Sequence, residues 1–190
     1  MCWSADGSLK TYLFGMVLAA IHKQKGDLDP SLWLLMVVFT HMQLVEYFLW
    51  KNLPTPAANR FWSGAGVALL FAQPLISAML LKTSTRNKLW IAYIISALYY
   101  FATRKVDLST DIGGNGHLKW NWIPSFTSPW TIGWLVMLVG PMIMTGHNMS
   151  AVFGIVTYMA SLYFNDKYGT AGSYWCWFAI STWLLAFIKY

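Results

Sequence analysis

Glu46 is the only glutamate in the chain, and it lies in an apolar stretch, 32–50, that is long enough to cross a bilayer. An ionisable side chain at membrane depth is costly unless it is paired or faces water, so Glu46 is a candidate site for carrying a proton or an ion. Spacings of three and four residues place Gln43 and Trp50 on the same helix side as Glu46. We therefore expect Gln43 to hydrogen-bond the Glu46 carboxyl.

Two structural interpretations of Glu46 stay open beside this one. A protonated Glu46 would join two helices through one hydrogen bond. Alternatively, its carboxylate would pair with Lys51 at the membrane surface, five residues further along the chain. His41 lies about 200° around the helix from Gln43, so we expect it to face away from Glu46 and to make a hydrogen bond between helices rather than to act as a ligand or proton relay.

A few other polar residues interrupt the apolar segments and are expected to complete a polar cavity with Glu46. Gln73 precedes Pro74, which frees a backbone carbonyl and bends the helix. Tyr174 and Ser181 lie in the last segment. The spacing of these residues predicts neither a metal site nor a cofactor site, and it identifies no catalytic residue.

The composition indicates an integral membrane protein. The 190 residues are 57% hydrophobic and only 11% charged, whereas soluble domains carry about 25% charged residues. The net charge of +6 is spread over the connecting segments in ones and twos, which suits anionic lipid headgroups and excludes a nucleic-acid role. Membrane lipids are therefore the expected partners, with a homo-oligomer or a membrane complex as a further expectation.

The chain is expected to form one all-α domain with about seven transmembrane helices, because about 20 residues are needed for each crossing. The apolar segments are approximately 9–22, 32–50, 62–81, 89–103, 129–145, 150–164 and 171–188. The first one resembles a signal peptide weakly, and we favour its retention as a helix. Residues 60–82 align with 167–189, which suggests a 3+1+3 parallel repeat of the kind found in transporters.

The long connector between the fourth and fifth segments, 104–128, is predicted to be an interfacial loop rather than a lid. Trp120 and Trp122 near its end are expected to anchor at the membrane surface. In the next segment, Gly140 and Pro141 are expected to break the helix.

Two specific classes of membrane protein are excluded because the chain lacks residues that they require. A retinal protein needs a lysine in the middle of its seventh helix, and the only candidate here is Lys189, the next-to-last residue. Seven-helix zinc hydrolases need several intramembrane histidines, whereas only His41 is clearly placed in a segment. An enzyme remains an open alternative through Cys2, whose thiol could equally be acylated or inert.

The opening residues Met1-Cys2-Trp3-Ser4-Ala5 and the later pattern His41-x-Gln43-x-x-Glu46-x-x-x-Trp50 resemble a poorly characterised family of small multi-helix membrane proteins from bacteria and large DNA viruses of algae and protists. The resemblance covers the first 50 residues. It implies that Cys2, Trp3, Gln43, Glu46 and Trp50 belong to one shared feature, and it carries no established activity.

Three functional hypotheses follow for a multi-pass membrane protein. The first is a small channel or transporter that passes protons, ions or a small solute near Glu46. The second is a structural or accessory protein that binds lipids or other membrane subunits, with Glu46 as a bond between helices. The third is an intramembrane enzyme.

Overall fold

The computed structural model describes residues 4–125 and 128–189, and over these ranges the chain is an all-α bundle of seven helices. The helices are α1 (Ala5–Lys25), α2 (Pro30–Asn52), α3 (Pro56–Ser77), α4 (Thr83–Thr103), α5 (Pro129–Met144), α6 (Asn148–Asn165) and α7 (Ala171–Lys189). Short 3-10 turns, Ala78–Leu80 and Asp166–Tyr168, follow α3 and α6. The predicted all-α class and the predicted number of helices are thus confirmed.

Five helices begin before the predicted apolar segments, and in α1 and α2 a polar cap lies just before the early start. The side chain of Ser4 accepts a hydrogen bond from Gly7 N at the start of α1. Asp29 accepts from Ser31 N and Leu32 N at the start of α2. These caps satisfy backbone donors that have no partner within the helix.

Helix α2 lies at the centre of the bundle and packs against α1, α3 and α7. Leu35, Met42 and Leu49 are completely buried on it. Helix α4 is at the opposite extreme, since Tyr93 and Ala97 are its only buried residues. The helix that carries Glu46 is therefore enclosed by the protein, and α4 forms its periphery.

Prolines lie inside α3 and α5, and neither helix breaks at them. Pro74 has no N–H to donate to the carbonyl of Leu70, and that carbonyl accepts instead from Trp134 Nε1 at 2.9 Å. The predicted freed carbonyl is therefore used to join α3 to α5. The predicted break at Gly140 and Pro141 is wrong, because α5 continues through both residues to Met144.

The connector between α4 and α5 contains a hairpin that the sequence reading did not predict. Strand β1 (Thr110–Ile112) pairs antiparallel with β2 (Leu118–Trp120). Trp120 and Trp122 are only 6% and 4% exposed. The prediction that these indoles anchor at a membrane surface is therefore wrong, because they pack inward against the helices.

The hairpin is fixed to α3 by buried hydrogen bonds. Asn59 Nδ2 donates to Thr110 O at 2.8 Å, and Thr110 N donates to Asn59 Oδ1 at 2.9 Å. The hydroxyls of Ser63 and Thr110 are 2.9 Å apart, and Trp122 Nε1 donates to Thr110 Oγ1 at 3.2 Å. We call the end of the bundle that carries this hairpin and the α2–α3 turn the hairpin end.

The opposite end, where α1 turns into α2, is fixed by a buried histidine, and we call it the closed end. His22 Nδ1 lies 3.0 and 3.1 Å from the two carboxylate oxygens of Asp27, and its Nε2 donates to Trp183 O at 3.1 Å. Both ring nitrogens therefore face hydrogen-bond acceptors. This pair joins α1, the α1–α2 turn and α7.

Candidate functional site

Glu46 and Gln43 are completely buried on α2, toward the hairpin end. Lys51 is exposed, with its Nζ 6.0 Å from the centre of the Tyr47 ring. The interpretation that pairs Glu46 with Lys51 at a surface therefore does not fit the structure. Instead, Glu46 lies close enough to the buried Cys176 on α7 to interact with it electrostatically.

His41 is half-buried and turned to the opposite side of α2. Its Nδ1 donates to Val37 O at 2.8 Å, and its ring meets the edge of Tyr12 with 5.5 Å between centroids. It therefore faces away from Glu46, as expected. The predicted hydrogen bond between helices is wrong, because the acceptor is a carbonyl of α2 itself. The contact of His41 with α1 is the one between its ring and the ring of Tyr12.

Gln73 is completely buried on α3, but it does not join Glu46. The stacked rings of Phe48 and Trp62, with centroids 4.0 Å apart, set the register of the antiparallel helices α2 and α3. This register places Gln73 level with Val37 of α2, about 13 Å along the helix from Glu46. The structure therefore separates two of the residues that were expected to share one cavity.

The remaining predicted residues are distributed along the bundle. Tyr174 is half-buried and its ring contacts His117 of the hairpin, with 5.2 Å between centroids. Ser181 is half-buried further along α7, and Trp50 is half-buried near the end of α2. Cys2 and Trp3 lie outside the described residues.

Two serines that sequence reasoning missed lie at the level of Glu46. A Cβ built on Gly15 would meet Thr40 at 2.7 Å and Ile180 at 3.3 Å, which sets α1 against α2 and α7. Ser8 lies on the same face of α1 as Gly15, and Ser173 lies on the same face of α7 as Ile180, in both cases about two helical turns nearer the hairpin end. Both serines are buried, and the side-chain oxygens have no hydrogen-bond partner among the described residues.

An apolar cleft, partly open to the outside, lies between α3, α4, α5, α7 and the connector, and we call it the aromatic cleft. The empty space within it, counted together with the open space at its mouth, is about 590 Å³. Its walls are Val67, Leu70, Phe71, Tyr100, Phe101, Trp120, Trp122, Ile123, Pro124, Trp130, Thr131, Trp134, Gly172, Trp175 and Cys176. The Tyr100 and Trp130 rings, which both belong to the wall, stack on each other with 4.7 Å between centroids. Cys176 connects the two candidate sites, because it lines the cleft and also interacts with Glu46.

A second groove lies at the same end and is more polar. Its walls include Asn59, Arg60, Asp107 and Asp111, and the open space within it is about 1010 Å³. Neither Glu46 nor Gln43 lines this groove or the aromatic cleft. The sequence carried no signal for either cavity, because both depend on how the connector folds over the helices.

The chain matches no protein-family model, no curated protein sequence and no solved structure. Two of its described helices, Pro30–Asn52 and the continuous helical stretch Pro56–Leu80, are long and apolar enough to cross a membrane.

Proposed function

We propose that the protein is a multi-pass membrane protein. Support comes from the large apolar side chains that the bundle exposes on most of its helices. Examples with more than half of the side chain exposed are Leu13 and Val17 on α1, Ile95 and Leu98 on α4, Ile132 and Val136 on α5, and Val152 and Val156 on α6. Soluble monomers rarely expose apolar patches beyond a few hundred Å², so a lipid environment accounts for this surface.

Helix α4 gives the strongest support. Ile91 and Ile95 are 60% and 62% exposed, and Leu98 and Tyr99 are 65% and 71% exposed. These four positions lie within about 100° of one another around the helix, and Ile94, which is 45% exposed, widens the exposed apolar face to about 140°. A lipid environment accounts for an exposed apolar face of this width.

We further propose that the function of the protein is to bind a lipid molecule in the aromatic cleft. The observation that carries this proposal is an apolar cavity lined mainly by aromatic rings, part of whose wall is the peripheral helix α4. Ligand sites combine such apolar walls with few polar groups. This is the lipid-binding form of the second hypothesis from the sequence.

Filling the cleft tests the proposal. Val67 lines the cleft, and Val67→Trp should occupy its space, so we expect at least a tenfold loss of lipid affinity. The control is Val152→Trp, because Val152 is 57% exposed on the outer face of α6. Affinity is measured by quenching of tryptophan fluorescence with brominated lipids in detergent micelles, alongside thermal melting. Equal affinity of both variants and the wild type would refute the assignment.

Transport of protons or ions is the second candidate function. It is favoured by a buried carboxyl, Glu46, beside Gln43, with the buried hydroxyls of Ser8 and Ser173 at the same level of the bundle. Proton flux into liposomes should be present for the wild type and at least tenfold slower for Glu46→Gln. Undiminished flux in a Glu46→Gln protein with an unchanged melting temperature would exclude the carboxyl mechanism. Intramembrane catalysis stays a prediction.

A further inference from the structure

The aromatic cleft extends from near the hairpin end toward the middle of the bundle. On α5, which begins at Pro129, its wall residues lie within 130–134, and on α7, which begins at Ala171, they lie within 172–176. At 1.5 Å per residue these walls lie within about 8 Å of the starts of α5 and α7, whereas the α3 wall, within residues 67–71, lies about 16–22 Å from the start of α3 at Pro56. In a bilayer the shallow part of the cleft corresponds to the boundary between headgroups and hydrocarbon, where the ester groups of phospholipids are found, and the deep part lies among the acyl chains.

One polar atom of the cleft wall has no partner among the described residues. Trp120 is 6% exposed, and its indole N–H is shielded from water without a hydrogen-bond acceptor. In contrast, two other indoles of the wall have acceptors: Trp122 donates to Thr110 Oγ1, and Trp134 donates to Leu70 O. Buried donors are nearly always paired, and this one belongs to the wall of a cleft in which a ligand could supply the acceptor.

The orientation of Trp120 is fixed by its neighbours. Its ring stacks on Trp122 with 4.9 Å between centroids and an interplanar angle of 13°. Trp122 is itself held by its hydrogen bond to Thr110. Because the Trp120 side chain is already held in place, little binding free energy is spent on ordering it when a ligand accepts its hydrogen bond.

A cation lies beside another wall of the cleft. Arg104 follows the last residue of α4, is exposed, and interacts electrostatically with Tyr100. A guanidinium at the end of a lipid-facing helix is well placed to bind phosphate, because its donors match phosphate oxygens in pairs. The cleft thus combines apolar walls, one donor for a carbonyl and one cation close to the headgroup level.

We propose that the aromatic cleft binds a glycerophospholipid, whose ester carbonyl accepts a hydrogen bond from Trp120 Nε1, whose phosphate lies beside Arg104, and whose acyl chain packs between the aromatic walls. This inference rests on the proposed lipid-binding function and names the lipid class. An isoprenoid quinone also carries carbonyl groups, but it has no phosphate for Arg104.

The carbonyl contact is tested with two phosphatidylglycerols of identical chains, one ester-linked and one ether-linked. The full-length protein in detergent should bind the ester lipid about fivefold to tenfold more tightly, the size expected for one neutral hydrogen bond. Trp120→Phe should bind both lipids equally. Trp62→Phe is the control, since Trp62 lies on α3 at the same end, stacked on Phe48 and outside the cleft.

The phosphate contact is tested with Arg104→Gln, which should weaken binding of both phosphatidylglycerols about fivefold or more and leave the preference for ester unchanged. Lys88→Gln, at the other end of α4, is the control. If Val67→Trp abolishes binding while ester and ether lipids bind the wild type equally, lipid binding stands and the carbonyl contact is overturned. Tighter binding of a quinone than of phosphatidylglycerol, insensitive to Arg104→Gln, would overturn the glycerophospholipid.

Discussion

At the closed end of the bundle, both ring nitrogens of His22 meet acceptors, and the pair with Asp27 joins α1 and α7. At the hairpin end, the network around Thr110 is equally well paired, but the indole N–H of Trp120 and the hydroxyls of Ser8 and Ser173 have no acceptor or donor among the described residues. The first end is held together by the contacts of His22, although the buried amide of Gln73 toward the same end also lacks a partner among the described residues. The second uses some of its polar groups for structure and leaves others available to a ligand or an ion.

This difference indicates which end of the bundle binds a ligand or an ion. A fully paired buried group contributes to stability, whereas an unpaired buried group costs about 1–3 kcal/mol and persists when something else offsets the cost. The aromatic cleft, the polar groove and the surroundings of Glu46 lie at or toward the hairpin end, whereas an apolar pocket around Met36 and Thr182 lies toward the closed end. Variants at the two ends should therefore separate stability from binding.

The largest effect is expected from Asp27→Ala at the closed end. The side chain of His22 is completely buried and that of Asp27 is 14% exposed, so removing the carboxylate leaves a buried imidazole without its partner. We expect a loss of about 3 kcal/mol in the free energy of unfolding, with lipid binding unchanged once the protein is folded. Denaturant unfolding in mixed micelles measures it.

The control for this prediction is Asp29→Ala, two residues away. Asp29 caps α2 by accepting from Ser31 N and Leu32 N, and loss of such a cap costs about 1 kcal/mol. If both variants lose the same amount, the His22–Asp27 pair contributes no more than an ordinary cap, and the contrast between the two ends fails.

The sequence predicts the helices well because each helix is encoded locally. The apolar segments identify all seven, and the caps Ser4 and Asp29 account for the residues by which α1 and α2 extend beyond them. The contacts between helices depend on distant partners. Asn59 and Thr110 are 51 residues apart in the chain, and His22 and Trp183 are 161 apart, so no local pattern indicates either pair.

The candidate site was predictable only in part, for the same reason. Helical periodicity places Gln43 on the same side as Glu46 and His41 on another side. Both predictions need only the geometry of a single helix. The separation of Gln73 from Glu46 follows from the register of α2 against α3, which is set by the contact between Phe48 and Trp62. The hairpin escapes prediction because its strands have three residues each, too few to show an alternating pattern.

The next effect in size is expected at the hairpin end, from Asn59→Ala. Its amide makes two hydrogen bonds to the backbone of Thr110, which is 1% exposed. Their loss leaves a buried N–H and a buried carbonyl unpaired, so we expect about 2 kcal/mol lower stability. Unlike Asp27→Ala, this variant should also speed proteolytic cleavage within 104–128 and weaken lipid binding, because Trp120 and Trp122 lose their support.

Asn52→Ala is the matched control for Asn59→Ala. The Asn52 amide donates to Phe48 O within its own helix and is only partly buried, so about 0.5 kcal/mol is expected. If Asn59→Ala lowers stability but leaves cleavage of the connector and lipid affinity at wild-type values, the hairpin does not shape the cleft.

The smallest effect is a dependence of the hairpin on pH. His117 is 5% exposed, and burial lowers its pKa below the ordinary value of 6.5. The folded hairpin therefore favours the neutral ring, whereas the unfolded connector takes up a proton near pH 6.5. Stability of the hairpin is complete above that pH and is lost as the pH falls from 6.5 through the lowered pKa of the folded state. Protease cleavage within 104–128 should accordingly be faster at pH 5 than at pH 7.5.

His117→Phe keeps a ring against Tyr174, whose centroid is 5.2 Å from that of His117, and it cannot take up a proton. Its cleavage rate should lose the acid-induced increase that the wild type shows. An increase of the same size in His117→Phe would assign the acid sensitivity to other groups of the connector, such as Asp107 or Asp111. Because one imidazole acts here and no buried pair is broken, the effect stays below that of Asn59→Ala. It still distinguishes the ends, since the histidine that burial keeps neutral lies at the hairpin end.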